Sequence, residues 1–98
     1  MSKVINAYAK MKNKNGKDTV ILFHVGNGYN AYLDDSKVVS EITGIKREID
    51  YQSQYFVIYK TVVPEDKCEE VVNKILDAGH AICVSEVIGN DGTYVLTN

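Results

Sequence analysis

Asp34 and Asp35 stand side by side, and paired carboxylates can divide acid and base roles when their surroundings push their proton affinities apart. Such work needs a base or nucleophile in a recognisable relation to the acids. The chain contains no H-x-E, H-E-x-x-H or G-x-S-x-G pattern. Adjacent acids just ahead of a helical repeat read instead as caps and solvated charge that complement the helix dipole. His24 and His80 are isolated in sequence, and Cys68 and Cys83 lie fifteen residues apart without a C-x-x-C, so no metal set is spelled out. The two cysteines read as small, reduced core residues. Gly26-Asn27-Gly28-Tyr29-Asn30-Ala31 fits G-x-G-x-x-A after an apolar run, formally a dinucleotide fingerprint. That fingerprint needs a helix opening at the glycines, whereas helix signals begin only at Asp34. The glycines are read as a hairpin turn. No catalytic residue, cofactor or metal is expected.

Binding chemistry remains. Residues 1–17 hold five lysines and no acid, in a chain whose net charge is −2. Lys10, Lys12, Lys14 and Lys17 are therefore candidates to meet phosphates, although a lysine-decorated solvent face is the commoner meaning of such a run. A dedicated nucleic-acid binder would be basic overall, and this chain is not. Tyrosine supplies the second signal. Tyr55, Val57 and Tyr59 alternate along a strand-like run, a face suited to a protein partner if it lies open.

The elements that must position these groups are legible from periodicity and punctuation. Val4, Tyr8 and Met11 recur at helical spacing after Ser2, with Gly16 as the stop. Thr19–Val25 is apolar apart from His24 and rich in β-branched residues, which predicts a central strand buried on both faces. Tyr29–Leu33 returns from the turn as a second strand. Asp34-Asp35-Ser36 opens a short helix with Val38, Val39 and Ile42 inward, closed by Gly44. Lys46–Gln52 alternates, with Arg47, Ile49 and Tyr51 on one side, and reads as an edge strand. Tyr55–Val62 is the next strand. Pro64 predicts the first turn of a helix running to Ala78, with Cys68, Val72, Ile75 and Leu76 inward. Ala81–Ile88 and Thr93–Thr97 are read as a final strand pair about Gly89-Asn90-Asp91-Gly92. The order is α-β-β-α-β-β-α-β-β, which predicts an α+β domain with a mixed sheet of about six strands and three helices packed on it.

Several segments, in order and at near-equal spacing, resemble the N-terminal mismatch-recognition domain of the MutS DNA mismatch-repair proteins. Ala7-Tyr8-Ala9-Lys10-Met11-Lys12 resembles its Q-Y-L-x-x-K helix. Asp18 to Gly26, DTVILFHVG, resembles D-T-I-L-L-F-R-M-G, and Tyr32-Leu33-Asp34-Asp35-Ser36-Lys37 resembles the F-x-x-D-A-K helix entry. Leu76-Asp77-Ala78-Gly79 and Ser85 to Asn90 are similar to its L-V-x-x-G and C-E-Q-I-G-D segments. The resemblance implies a MutS domain I fold over residues 1–98 and a site at Asn27, Gly28, Tyr29 and Asn30, where the family carries Gly-Asp-Phe-Tyr-Glu. In that family the Phe stacks on the mispaired base and the Glu hydrogen-bonds it. Here Gly28 occupies the Phe slot, Asn30 the Glu slot, and the basic loop before the second hairpin is shortened to Lys46-Arg47. Base–aromatic stacking is worth about 1–3 kcal/mol per base, so a glycine there forfeits the reading contact. No G-x-x-x-x-G-K-[ST] nucleotide loop is present.

Ninety-eight residues support one core, and an apolar content of 45% with a single proline indicates a folded chain. The N-terminus lacks the apolar stretch of a secretory leader, and no run approaches the ~18 residues of a membrane span. These features predict a cytoplasmic, stand-alone, non-enzymatic binding domain without membrane or metal. Two partners are open: DNA, held weakly and without mismatch selectivity, or a protein partner or second copy on the tyrosine face.

Overall fold

The computed structural model describes residues 3–88 and 93–96, with side chains described for 4–86. Along the chain run α1 (Lys3–Asn15), β1 (Thr19–Val25), β2 (Gly28–Tyr32), α2 (Leu33–Thr43), β3 (Glu48–Gln52), β4 (Val57–Pro64), a 3-10 turn (Glu65–Lys67), α3 (Cys68–Asp77), β5 (Ala81–Ile88) and β6 (Thr93–Leu96). The strands form one six-stranded sheet in the order β3-β4-β2-β1-β5-β6. All pairings are antiparallel except β1 with β5, where Thr19 to His24 align with Ala81 to Glu86. The α+β class expected from the pattern is the class observed. The expected cap at Ser2, the turn at residues 89–92 and the end at Thr97 lie outside the described residues.

β1 is interior, as its apolar run from Val20 to Phe23 requires, and feeds both faces of the sheet. Val20 and Leu22 join Ala31, Val39, Val63, Val71 and Ile75 in a core beneath α2 and α3. Ile21 and Phe23 join Tyr32, Ile58, Cys83 and Met11 in a second core beneath α1. Phe23 and Tyr32 meet edge to face at 5.7 Å, a favoured aromatic geometry. Alternating residues on one strand thus nail a helix layer to each side.

The punctuation worked where glycine was required. Gly16 and Gly44 sit at φ +96° and +79°, ending α1 and α2 in the left-handed conformation that side chains resist. Leu33 also has φ +55°, because β2 passes into α2 with no intervening loop and one residue makes the whole corner.

Several boundaries differ from expectation. Pro64 ends β4 opposite Gly28 and does not begin a helix, and the chain makes a 3-10 turn before α3 starts at Cys68. A proline is tolerated at a strand terminus, where its missing N–H breaks no ladder. Leu76 is 49% exposed, whereas Val71 and Ile75 carry the buried stripe. Tyr55 and Phe56 lie before β4, in a turn where Ser53 Oγ accepts both of their amide N–H groups at 3.2 and 3.3 Å. The tyrosine alternation is therefore broken at its first member. β3 carries a bulge at Asp50, so Ile49 faces Tyr59 while Tyr51 faces Ile58, on opposite sides of the sheet. Arg47, Ile49 and Tyr51 do not form one face.

Candidate nucleic-acid interface

Asp35 is not a solvated cap. It is buried at the start of α2, where one carboxylate oxygen accepts the Ile21 N–H at 3.0 Å and the other meets Lys12 Nζ at 3.0 Å. Tyr8 brings its hydroxyl to the same carboxyl. Burial pushes the Asp35 carboxyl above the ordinary carboxylate range, against the opposing pull of Ile21 N–H and Lys12. Burial, then the charges of Asp35 and Asp34, push the Tyr8 hydroxyl well above its usual value. One polar hub thus ties α1, β1 and α2 together.

That hub decides which lysines face solvent. Lys12 donates to the carbonyls of Lys17 at 2.7 Å and Thr19 at 2.6 Å as well as to Asp35. An ammonium has three donors, and all three are used. Lys12 is a structural lysine. Lys10, Lys14 and Lys17 are exposed, with Lys10 and Lys14 one helical turn apart on the outer side of α1.

The turn residues sit elsewhere. Lys17 precedes β1 and Asn27 follows it, and seven strand residues at about 3.3 Å each separate them by roughly 20 Å. Asn27 is exposed and its carbonyl accepts the Glu65 N–H at 3.1 Å. Gly28 is buried in β2, and a Cβ there would lie 3.1 Å from the Val63 carbonyl oxygen and 3.2 Å from Val62 Cγ1. Tyr29 stacks flat on His24 at 4.5 Å, and His24 Nδ1 pairs with Glu86 at 2.7 Å across the parallel strands. Burial raises the Tyr29 hydroxyl, with Cys68, Glu86 and Glu65 adding to it. Asn30 is buried and donates to Tyr32 Oη at 3.0 Å. Of the eight candidate contacts, the fold leaves Lys10, Lys14 and Lys17 exposed, the last two just ahead of β1, and leaves Asn27 exposed at the strand's other end. Lys12, Gly28 and Asn30 are internal.

The tyrosine surface is likewise divided. Tyr55 is 83% exposed in its turn, Val57 is half-buried, and Tyr59 is half-buried beneath the Arg47 guanidinium at 4.3 Å. What the pattern missed is the pairing of Tyr51 with Phe56, 5.6 Å apart and both near half exposed. A bulge and a turn together create it, and neither has a periodic signal. Among the described residues, no three His, Cys, Asp or Glu side chains gather in a way that would hold a metal ion. No helix there is long and apolar enough to cross a membrane.

Gly28 permits a direct test of the slot. Gly28→Phe is expected to destabilise the fold by about 1–3 kcal/mol through overpacking against β4. A thermal melt of the variant checks this, and an unchanged midpoint would mean the strand accommodates a ring.

Known proteins share the same frame. The family model described as MutS domain I matches residues 2–93. A DNA mismatch repair protein MutS from Thermodesulfovibrio yellowstonii is 24% identical over 93 residues, which is 95% of this chain and 11% of that protein. The chain therefore spans about a ninth of the length of that relative. With the apolar strand, the turn and the helix-entry aspartate all in place across nearly the whole chain, the protein belongs to the MutS domain I family.

Proposed function

We propose that this chain is a non-catalytic DNA-binding module of the mismatch-repair type that holds the phosphate backbone without reading a mispaired base. Membership of the MutS domain I family supports the DNA-associated part, and so does the relative's name. One observation carries the loss of selectivity: both reading slots are built into the fold. Gly28 packs against β4 and Asn30 points inward to Tyr32, so neither presents a group to a base. What remains outward is charge on Lys10, Lys14 and Lys17.

Affinity from such contacts is sequence-independent and salt-sensitive, in the range of roughly 10⁻⁴–10⁻⁶ M at physiological salt. Gel shifts on a G·T heteroduplex and its homoduplex are expected to give equal affinities. Replacing Lys10, Lys14 and Lys17 with Gln is expected to flatten the dependence of log K on log salt by up to about 2.7, since each phosphate contact adds about 0.9 to the slope. Lys12→Gln should weaken the fold instead. A tenfold preference for the mismatch, about 1.4 kcal/mol, would overturn the reading. No binding at low salt would favour the alternative, a protein-interaction module or small homodimer with no nucleic-acid role.

A further inference from the structure

The strand registers place two surfaces together that are far apart in sequence. Asn30 lies opposite Phe23, so by continuation Tyr32 lies level with Ile21, and Tyr32 also pairs with Lys60. Val57, three residues before Lys60, is then level with the chain just ahead of Thr19. The β3–β4 turn thus projects from the same end of the sheet as Lys14 and Lys17. Three strand spacings of about 4.8 Å put β3 about 14 Å to the side of β1. Tyr51 opposes Ile58, whose side chain belongs to the core beneath α1, so Tyr51 and its partner Phe56 share the face on which α1 lies.

This tip has the composition of a base-stacking platform. Residues 51–59, YQSQYFVIY, carry no charge and alternate aromatic rings with exposed amides at Gln52 and Gln54. The turn is ordered by the Ser53 hydrogen bonds, so Tyr55 is held out at 83% exposure on a fixed backbone. Lys60 offsets part of the negative charge on the edge strand, meeting Asp50 at 3.4 Å and Glu48 at 4.0 Å. The exposed acids Asp18 and Asp34 share this end with the lysines, so phosphate attraction alone is modest there. Stacking would supply what charge does not, and only unpaired bases offer their faces to a protruding ring.

Resting on the DNA-binding reading, we infer that the Tyr51–Tyr55–Phe56 tip and the lysines at the C-terminal end of α1 form one binding surface for a single nucleic-acid strand. The lysines hold its phosphates and the tip stacks on its bases. A duplex, whose bases are stacked on one another, uses only the lysines.

Fluorescence anisotropy with a labelled oligo-dT strand and a duplex of equal length, at low salt, tests this. The double variant Tyr55→Ala/Phe56→Ala is expected to lose about tenfold or more for the single strand, the size of one lost base stack, and nothing for the duplex. Tyr55→Ala alone, at a position that touches little of the fold, is expected to lose a smaller part in the same direction. Wild type binding neither probe would defeat the DNA-binding reading and this inference with it. Duplex binding that persists, with single-strand binding unaffected by the double variant or reduced equally for both probes, would overturn the inference alone. Sedimentation showing a wild-type dimer that the double variant abolishes would mean a second copy covers the tip, and would also overturn it.

Discussion

Asp35→Ala is expected to lower stability by about 3–5 kcal/mol, the penalty for removing one partner of a buried ion pair. The loss is large because Asp35 serves three elements at once. Without it the Ile21 N–H loses its acceptor in the middle of the sheet, the Lys12 ammonium loses its counter-charge, and Tyr8 loses the group its hydroxyl meets. Domains of this size have only about 5–15 kcal/mol in total. Asp35→Asn keeps one acceptor oxygen and is expected to recover part of the loss. The substitution also changes the response to pH. Burial raises the Asp35 carboxyl, so just above the ordinary carboxylate range the folded chain keeps a proton that the unfolded chain has released. The stabilisation linked to that proton is full below the ordinary value and fades as pH rises through the raised one. An amide at this position has no such proton, so denaturant titrations of Asp35→Asn across this window should give a flatter profile than wild type. An Asp35→Ala variant within 1 kcal/mol of wild type would show that the hub is dispensable.

Ile75→Ala is expected to cost about 2–5 kcal/mol, and the next residue almost nothing. Ile75 is 0% exposed on the face of α3 turned to Val20, Leu22 and Val63, so truncation leaves a void between helix and sheet. Leu76 is the same size but points about 100° further round the helix, into solvent. Leu76→Ala should stay within about 0.5 kcal/mol, as surface changes do. Chemical denaturation of the pair fixes the phase of α3, and equal losses at both positions would mean the helix packs in another rotation.

These two residues also mark what the amino-acid pattern could and could not convey. Local rules sufficed for β1, whose apolar run has no solvent side, and for the ends of α1 and α2, where glycine takes a backbone that side chains avoid. The helical repeat found α3 but admitted Leu76 to its stripe, because an i, i+7, i+8 pattern is wider than the groove it fills. Asp35 was unreadable for a different reason. Its partners Tyr8 and Lys12 come from another helix, and nothing local distinguishes a buried aspartate from the cap beside it. Charge alone groups Lys12 with its neighbours, yet it is one helical turn from Tyr8 on the inward side. Gly28 was legible as a missing ring, while the strand pressed against it was not. Tyr51 and Phe56 meet only because a bulge shifts one residue and a turn returns the chain, and both are events of tertiary structure.

The parallel pairing of β1 with β5 has a consequence for how the chain is made. β1 finds its antiparallel neighbour β2 within a few residues, but its other neighbour lies 62 residues further on. At a synthesis rate of about 5–20 residues per second, that interval lasts about 3–12 s. Throughout it, one backbone edge of the most apolar strand in the protein stands unpaired beside the ribosome. The nascent domain is thus most prone to intermolecular capture before β5 has emerged, and slow codons or stalls between β4 and β5 would prolong that exposure.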